Sequence, residues 1–287
     1  SRPLLDFLAA APTIASDDKS VTLSVRMRDI IMTLPTPRNV GRNPDLIPDI
    51  QGQFTVSTTP ALPDRVQDFV TAKGREKFLN GDTLLGLSMG GRGLPIDIFL
   101  HLHKMLQDEP EGRMAEEIMW HETIHGLEGV EVTQNGPVRE TPWSYTLQET
   151  MRQHDLDSGG GMPIDELYPD EENREYVRYW RQGDAAQENV SEMHARVGVM
   201  TLRQIYETGN IPNSPAELAT YFSPEALLAD YNDDSKLRPF GTQDPFELFI
   251  ALATYGPAAQ RTFWNAAPEM VQRLGRLYGC DLKGLKP

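Results

Sequence analysis

Two histidines four residues apart, the first followed directly by a glutamate, constrain this chain more than any other feature: His121-Glu122-Thr123-Ile124-His125. Residues four apart are neighbours on one face of a helix, so the two imidazoles can hold one metal ion with the Glu122 carboxylate beside its water. Average residue usage would produce this pattern by accident in a chain of 287 residues on the order of once in a hundred. Chance is therefore the weaker account. The surrounding segment from Gly112 to Leu127 has helical periodicity, with Met114, Ile118, His121 and His125 on one stripe.

The elements around this helix are readable from period and punctuation. Over residues 1–60, β-prone runs at Val21 to Met27 and Gln53 to Thr58 alternate with connectors around Pro35, Pro37, Pro44 and Pro48, which predicts strands and loops. A helix is expected from Asp64 to Leu79, with Val66, Phe69, Val70 and Phe78 on its apolar side. Ile96, Ile98, Leu100 and Leu102 then alternate with Asp97, Phe99, His101 and His103, the period of a half-buried strand. Between Glu128 and Asp184 the chain is polar, acidic and rich in Gly and Pro, as expected of an insertion or a cleft wall. Helical periodicity returns from Ala185 to Tyr206 and again from Asp244 through Leu277. The fold class expected is α+β, with a small N-terminal sheet region and a mainly helical C-terminal half. Residues 1–111 form the strand and helix region, and 112–287 carry the motif helix, the acidic insertion and the helical remainder, in one continuous unit.

Two histidines do not complete a catalytic zinc site, which usually takes three protein ligands and a water. Glu188, Glu192, Ala195, Val199, Leu202 and Tyr206 share one helical stripe, so two carboxylates are aimed at an apolar side. A buried carboxylate requires a partner, and a pair of them asks for a cation. Glu188 is expected to ligate zinc, and Glu192 to accept the second ring N–H of a ligand histidine. The competing account pairs both with arginines such as Arg174, Arg178 or Arg181.

His121-Glu122-Thr123-Ile124-His125-Gly126, followed downstream by Glu188-Asn189-Val190-Ser191-Glu192, resembles the gluzincin metallopeptidases of neprilysin and thermolysin type, whose pattern is H-E-x-x-H and then E-x-x-x-D. A strand feeding an H-E-x-x-H helix is also the order found in zincins. The resemblance implies a zincin-like fold, zinc on His121, His125 and Glu188, and Glu122 as general base. It covers two helices, and Glu192 stands where the pattern has Asp. In extent the chain is similar to compact zincin domains of bacterial toxins and secreted effectors. An alternative third zinc ligand is Glu247, because Phe246-Glu247-Leu248-Phe249 resembles the Glu-bearing helix of lethal-factor-like and clostridial-neurotoxin-like zincins. Asp244-Pro245-Phe246-Glu247 also reads as a capping box, which accounts for Glu247 without a metal.

A second metal is suggested by Asp155 to Glu166, which resembles an EF-hand calcium loop. Asp155 and Asp157 occupy positions one and three, Gly160 the turn and Glu166 the bidentate position. Gly159 and Pro163 supply no side-chain ligand, and Pro169 stops an exiting helix; a plain solvated turn is the other reading. His101 and His103 are expected to share a strand face. His154 and His194 are lone histidines, more often structural than catalytic. Tyr206, Tyr231 and Tyr255 are candidates to stabilise an oxyanion.

Charge narrows the partners. Lys plus Arg is 27 against Asp plus Glu 42, a net charge of -15 that repels phosphate backbones and anionic lipid, so nucleic acid is not expected. No stretch approaches a membrane span. The single cysteine, Cys280, excludes an internal disulfide framework and a thiolate zinc site. Few cysteines fit a cytosolic protein but also a secreted enzyme, and secretion is the expectation adopted. The function expected is a zinc-dependent endopeptidase acting on protein or peptide. The alternative is a noncatalytic calcium-binding or interaction protein in which the histidine pair is structural or incidental.

Overall fold

The computed structural model describes residues 2–76, 79, 84–90, 95–133, 136–139, 143, 146–147, 149–151, 153, 184–214, 217 and 257–282, with the backbone alone over 131–133, 136–139 and 184–190 and at 193, 257, 260, 267 and 271. The chain divides into two compact units. The first takes Ser1–Thr36, Asn43–Glu140 and Leu277–Gly279, and the second Pro37–Arg42, Thr141–Arg276 and Cys280–Pro287. The motif helix falls in the first, with the strands that precede it.

The first unit is α+β. Its order is α1 (Pro3–Ala10), β1 (Thr13–Ser16), β2 (Ser20–Arg26), α2 (Met27–Thr33), β3 (Gln51–Ser57), α3 (Asp64–Ala72), β4 (Gly86–Ser88), β5 (Ile96–Leu100), α4 (Leu102–Asp108), α5 (Arg113–Leu127) and a hairpin of β6 (Val130–Thr133) and β7 (Gly136–Arg139). The sheet has the order β1-β2-β3-β5-β4. Only the β3/β5 pair is parallel, with Phe54 opposite Ile98; β4 runs antiparallel to β5, with Gly86 opposite Leu100.

Side-chain alternation divides the sheet into two faces. Leu23, Val25, Phe54, Ile96, Ile98 and Leu100 are buried on one, and α5 packs on β4 and β5 there. Gly126 lets the helix come close, since a Cβ at that position would stand 2.8 Å from Cγ2 of Ile96. On the other face Phe99 packs with Val66 and Val70 of α3. The polar half of that face is covered by Arg65, which donates to Thr55 Oγ1 at 3.0 Å and pairs with Asp97. Strand β5 is therefore buried on both sides at Phe99 and Ile98, rather than half-buried.

Two helices stand where strands and loops were expected, α1 and α2, and each buries residues at helical spacing: Leu4 and Leu8 in one, Met27, Ile30 and Ile31 in the other. Helix α3 stops at Ala72 instead of reaching Leu79, because Gly74 takes the left-handed conformation (φ 65°) that ends a helix. Phe78 lies outside the described residues.

The second unit contains α6 (Asp184–Thr208), α7 (Pro257–Asn265) and α8 (Ala267–Leu277), the last reaching residue 277. Ala195, Val199 and Leu202 are buried on α6 as the stripe predicts, whereas Tyr206 is 38% exposed and not inward. The segment 37–42 is fastened to the end of α6: Arg38 N–H donates to the Gly209 carbonyl at 2.6 Å, and the Asn39 amide brackets the Ile211 backbone. The expected final helix is two helices within the described residues, separated at Ala266. No helix of the described residues is long and apolar enough to cross a membrane.

Candidate metal centre

The motif helix begins at Gly112, whose left-handed backbone (φ 76°) turns the chain out of α4, and a carboxylate of Glu109 accepts the Met114 N–H at 3.0 Å. Capping of that kind satisfies a helix-end donor that has no partner inside the helix. Of its fifteen residues, all but Arg113, His121 and His125 are buried. A helix surrounded on this scale must satisfy its polar groups internally. Glu116 accepts the Leu4 N–H of α1 at 2.7 Å, and Thr123 Oγ1 donates to the Met119 carbonyl at 2.7 Å. Trp120 Nε1 donates to the Tyr278 hydroxyl at 2.9 Å, with the rings 5.3 Å apart.

His121 and His125 are brought together as the spacing requires. Their Nε2 atoms lie 3.0 Å apart, and the rings meet edge-on at 80° with centroids 4.7 Å apart. Two nitrogens bound to one tetrahedral zinc at about 2.05 Å would stand about 3.3 Å apart, so the observed separation fits a shared ion with little movement. Glu122, 8% exposed, lies on the side of the helix facing β4. A Cβ at Gly86 would stand 2.8 Å from its Cγ and 3.0 Å from its Oε1, so glycine is what allows the edge of the sheet to reach the carboxylate.

One acidic residue at this site was not anticipated. Glu128 has a carboxylate oxygen 3.8 Å from Nδ1 of His125, and its side chain is 8% exposed. Its signal in the sequence is an acidic residue directly after the last turn of a helix, where a basic one is favoured.

The other expected residues are placed as follows. Glu192 lies on α6 with a partly buried side chain, and Glu188 lies one turn earlier, where the backbone alone is described. Glu247, the loop bearing Asp155, Asp157 and Glu166, His154, Tyr231 and Tyr255 all lie outside the described residues. His194 is buried, with its ring against Trp143 at 5.6 Å, and Arg273 lies over the same indole at 5.4 Å. His101 and His103 do not share a strand face. The strand ends at Leu100, His101 caps α4, and His103 is inside that helix. His101 Nδ1 meets Ser57 Oγ at 3.0 Å, and the same oxygen accepts the His103 N–H at 3.2 Å, which ties the ends of the parallel strands together. Burial pushes the His101 imidazole below its usual value of 6.5. It is a core histidine in the neutral form.

No protein-family model, no curated protein and no solved structure matches this chain.

Proposed function

We propose that the protein is a zinc-dependent peptide hydrolase of zincin type, with His121 and His125 as ligands, a carboxylate of α6 as the third, and Glu122 as general base. The observation that carries this reading is the pair of Nε2 atoms 3.0 Å apart on a helix whose intervening Glu122 is buried against a strand. Glu192 is the acidic residue of α6 that the gluzincin resemblance sets behind a ligand histidine. Glu188 is the ligand that the gluzincin resemblance implies, one helical turn earlier.

Bound zinc supplies Lewis acidity and a water of lowered pKa. The two imidazoles would hold the ion, and Glu122 would take a proton from the attacking water and pass it to the leaving amine. Among the described residues β4 is the edge of the sheet, beside Glu122, and an edge strand offers backbone donors and acceptors on which an extended peptide can add as a further strand. An acidic chain suits basic or neutral substrates.

Metal analysis of the purified full chain tests the reading first: one zinc per chain is expected, lost in His121→Ala. Chelator competition on Glu188→Ala, Glu192→Ala and Glu247→Ala then identifies the third ligand. Glu188→Ala is expected to lose the most affinity, with Glu192→Ala milder, as suits a carboxylate behind a ligand histidine. A chain that takes up no zinc, or a Glu122→Gln variant fully active on a peptide library, overturns the assignment.

A further inference from the structure

The C-terminal end of α5 is capped by a buried acid that none of the roles above uses. Glu128 ends the helix, with its N–H reaching the His125 carbonyl at 3.3 Å, and its carboxylate turns back to lie 3.8 Å from Nδ1 of His125. The placement is unfavourable twice over: the carboxylate faces the negative end of the helix dipole, and burial removes much of its hydration. A proton held on the facing nitrogen offsets both.

We propose that Glu128 is the positioning residue of His125. By facing Nδ1 it keeps the ring proton there, which leaves Nε2, the nitrogen directed at His121, as a lone pair ready for a metal ion. This inference rests on the metal-site reading of the preceding subsection. At 3.8 Å the contact is of ion-pair length, longer than a hydrogen bond, so the carboxylate acts by its field.

A consequence follows for the other histidine. If Nε2 of His125 carries no proton, the 3.0 Å contact between the rings requires the His121 Nε2–H to donate. The metal-free protein therefore holds the two histidines as opposite tautomers. Metal uptake changes His121 and leaves His125 as it is. The ligand pair is half prepared before the ion arrives.

The experiment uses the full chain. Zinc affinity is measured by competition against a chromophoric chelator for the unmodified protein, Glu128→Ala, Glu128→Gln and, as a control, Glu111→Gln at an exposed position. Glu128→Ala is expected to weaken zinc about ten- to a hundred-fold, as loss of a carboxylate behind a ligand histidine does. Glu128→Gln, which keeps the shape but not the charge, should lose nearly as much, and Glu111→Gln nothing. Long-range imidazole nitrogen spectra of the metal-free chain, assigned with His121→Gln and His125→Gln, should show Nδ1–H on His125 and Nε2–H on His121. In Glu128→Ala the His125 proton should move toward Nε2.

A purely structural Glu128 would give the reverse pattern, with metal-free melting temperature lowered and zinc affinity kept. The proposal is overturned if the unmodified protein binds zinc and Glu128→Ala binds it equally, or if metal-free His125 carries its proton on Nε2. A protein that takes no zinc removes the metal-site reading instead, and the metal-free spectra still decide what Glu128 does.

Discussion

In the first half of α5, Glu116 accepts a backbone N–H of α1 at 2.7 Å and Trp120 donates to Tyr278 at 2.9 Å. In the second half, His121 and His125 face each other at 3.0 Å, and Glu128 stands behind the second ring. Both halves bury polar side chains. The first joins them to groups whose identity does not change, a peptide N–H and a phenol. The second joins them to one another through ring nitrogens, which in the proposed metal site would exchange a proton for a metal ion. A fixed partner gives stability, and an exchangeable one gives chemistry, so substitutions in the two halves should separate fold from function.

The largest separation is expected at the ligands: His125→Ala should abolish zinc uptake while leaving the metal-free chain folded, as checked by metal analysis and circular dichroism together. Glu122→Gln is next, with hydrolysis down by about 10²–10⁴-fold, zinc retained and melting unchanged, because the amide keeps the shape but cannot take the proton. If that variant also melts early, the second half of the helix is structural too and the contrast fails. In the first half, Trp120→Ala should cost about 3–5 kcal/mol of stability by urea titration, from lost burial and the cavity left behind. Glu116→Ala should cost about 1.5–3 kcal/mol, the range for a hydrogen bond to a charged group, and Glu116→Gln less.

The smallest effect concerns pH. The folded His101 pKa lies below its unfolded value near 6.5, so between the two the unfolded chain binds more protons than the folded one. Stability contributed by neutral His101 is thus full above 6.5 and is lost as pH falls from there toward the folded value. Urea melts from pH 5 to 8 should show a flatter acid-side slope in His101→Asn than in the unmodified protein. Equal slopes would remove His101 from the balance.

How much of this was readable beforehand differs by element. The strand at Ile96 and the helix at Arg113 announce themselves through apolar residues at periods of two and about four, although β5 is buried on both faces and α5 on nearly every side, so the period marks the elements and not the extent of their burial. Helices α1 and α2 carried the same spacing at Leu4 and Leu8, and at Met27, Ile30 and Ile31, but in eight and seven residues. Helices that short are marginal alone and form through packing, which local pattern does not reveal. At the site, His121, Glu122 and His125 follow from spacing. Glu128 carries no such mark, because a residue three positions beyond His125 turns back toward it only where the helix ends, and spacing alone does not fix that end. The roles of Gly86 and Gly126 depend on how near the sheet comes to the helix, a distance set by the whole unit.

The hydrogen bond between Trp120 and Tyr278 also bears on the order of events during synthesis. Tyr278 is fully buried and belongs to the first unit, although nearly all of the second unit is encoded before it. A ribosome adding about 5–20 residues per second leaves the indole of Trp120 without its phenol for many seconds after the motif helix has emerged. The helix that carries the histidines thus reaches its final surroundings only after the 158 residues that separate indole from phenol have been added.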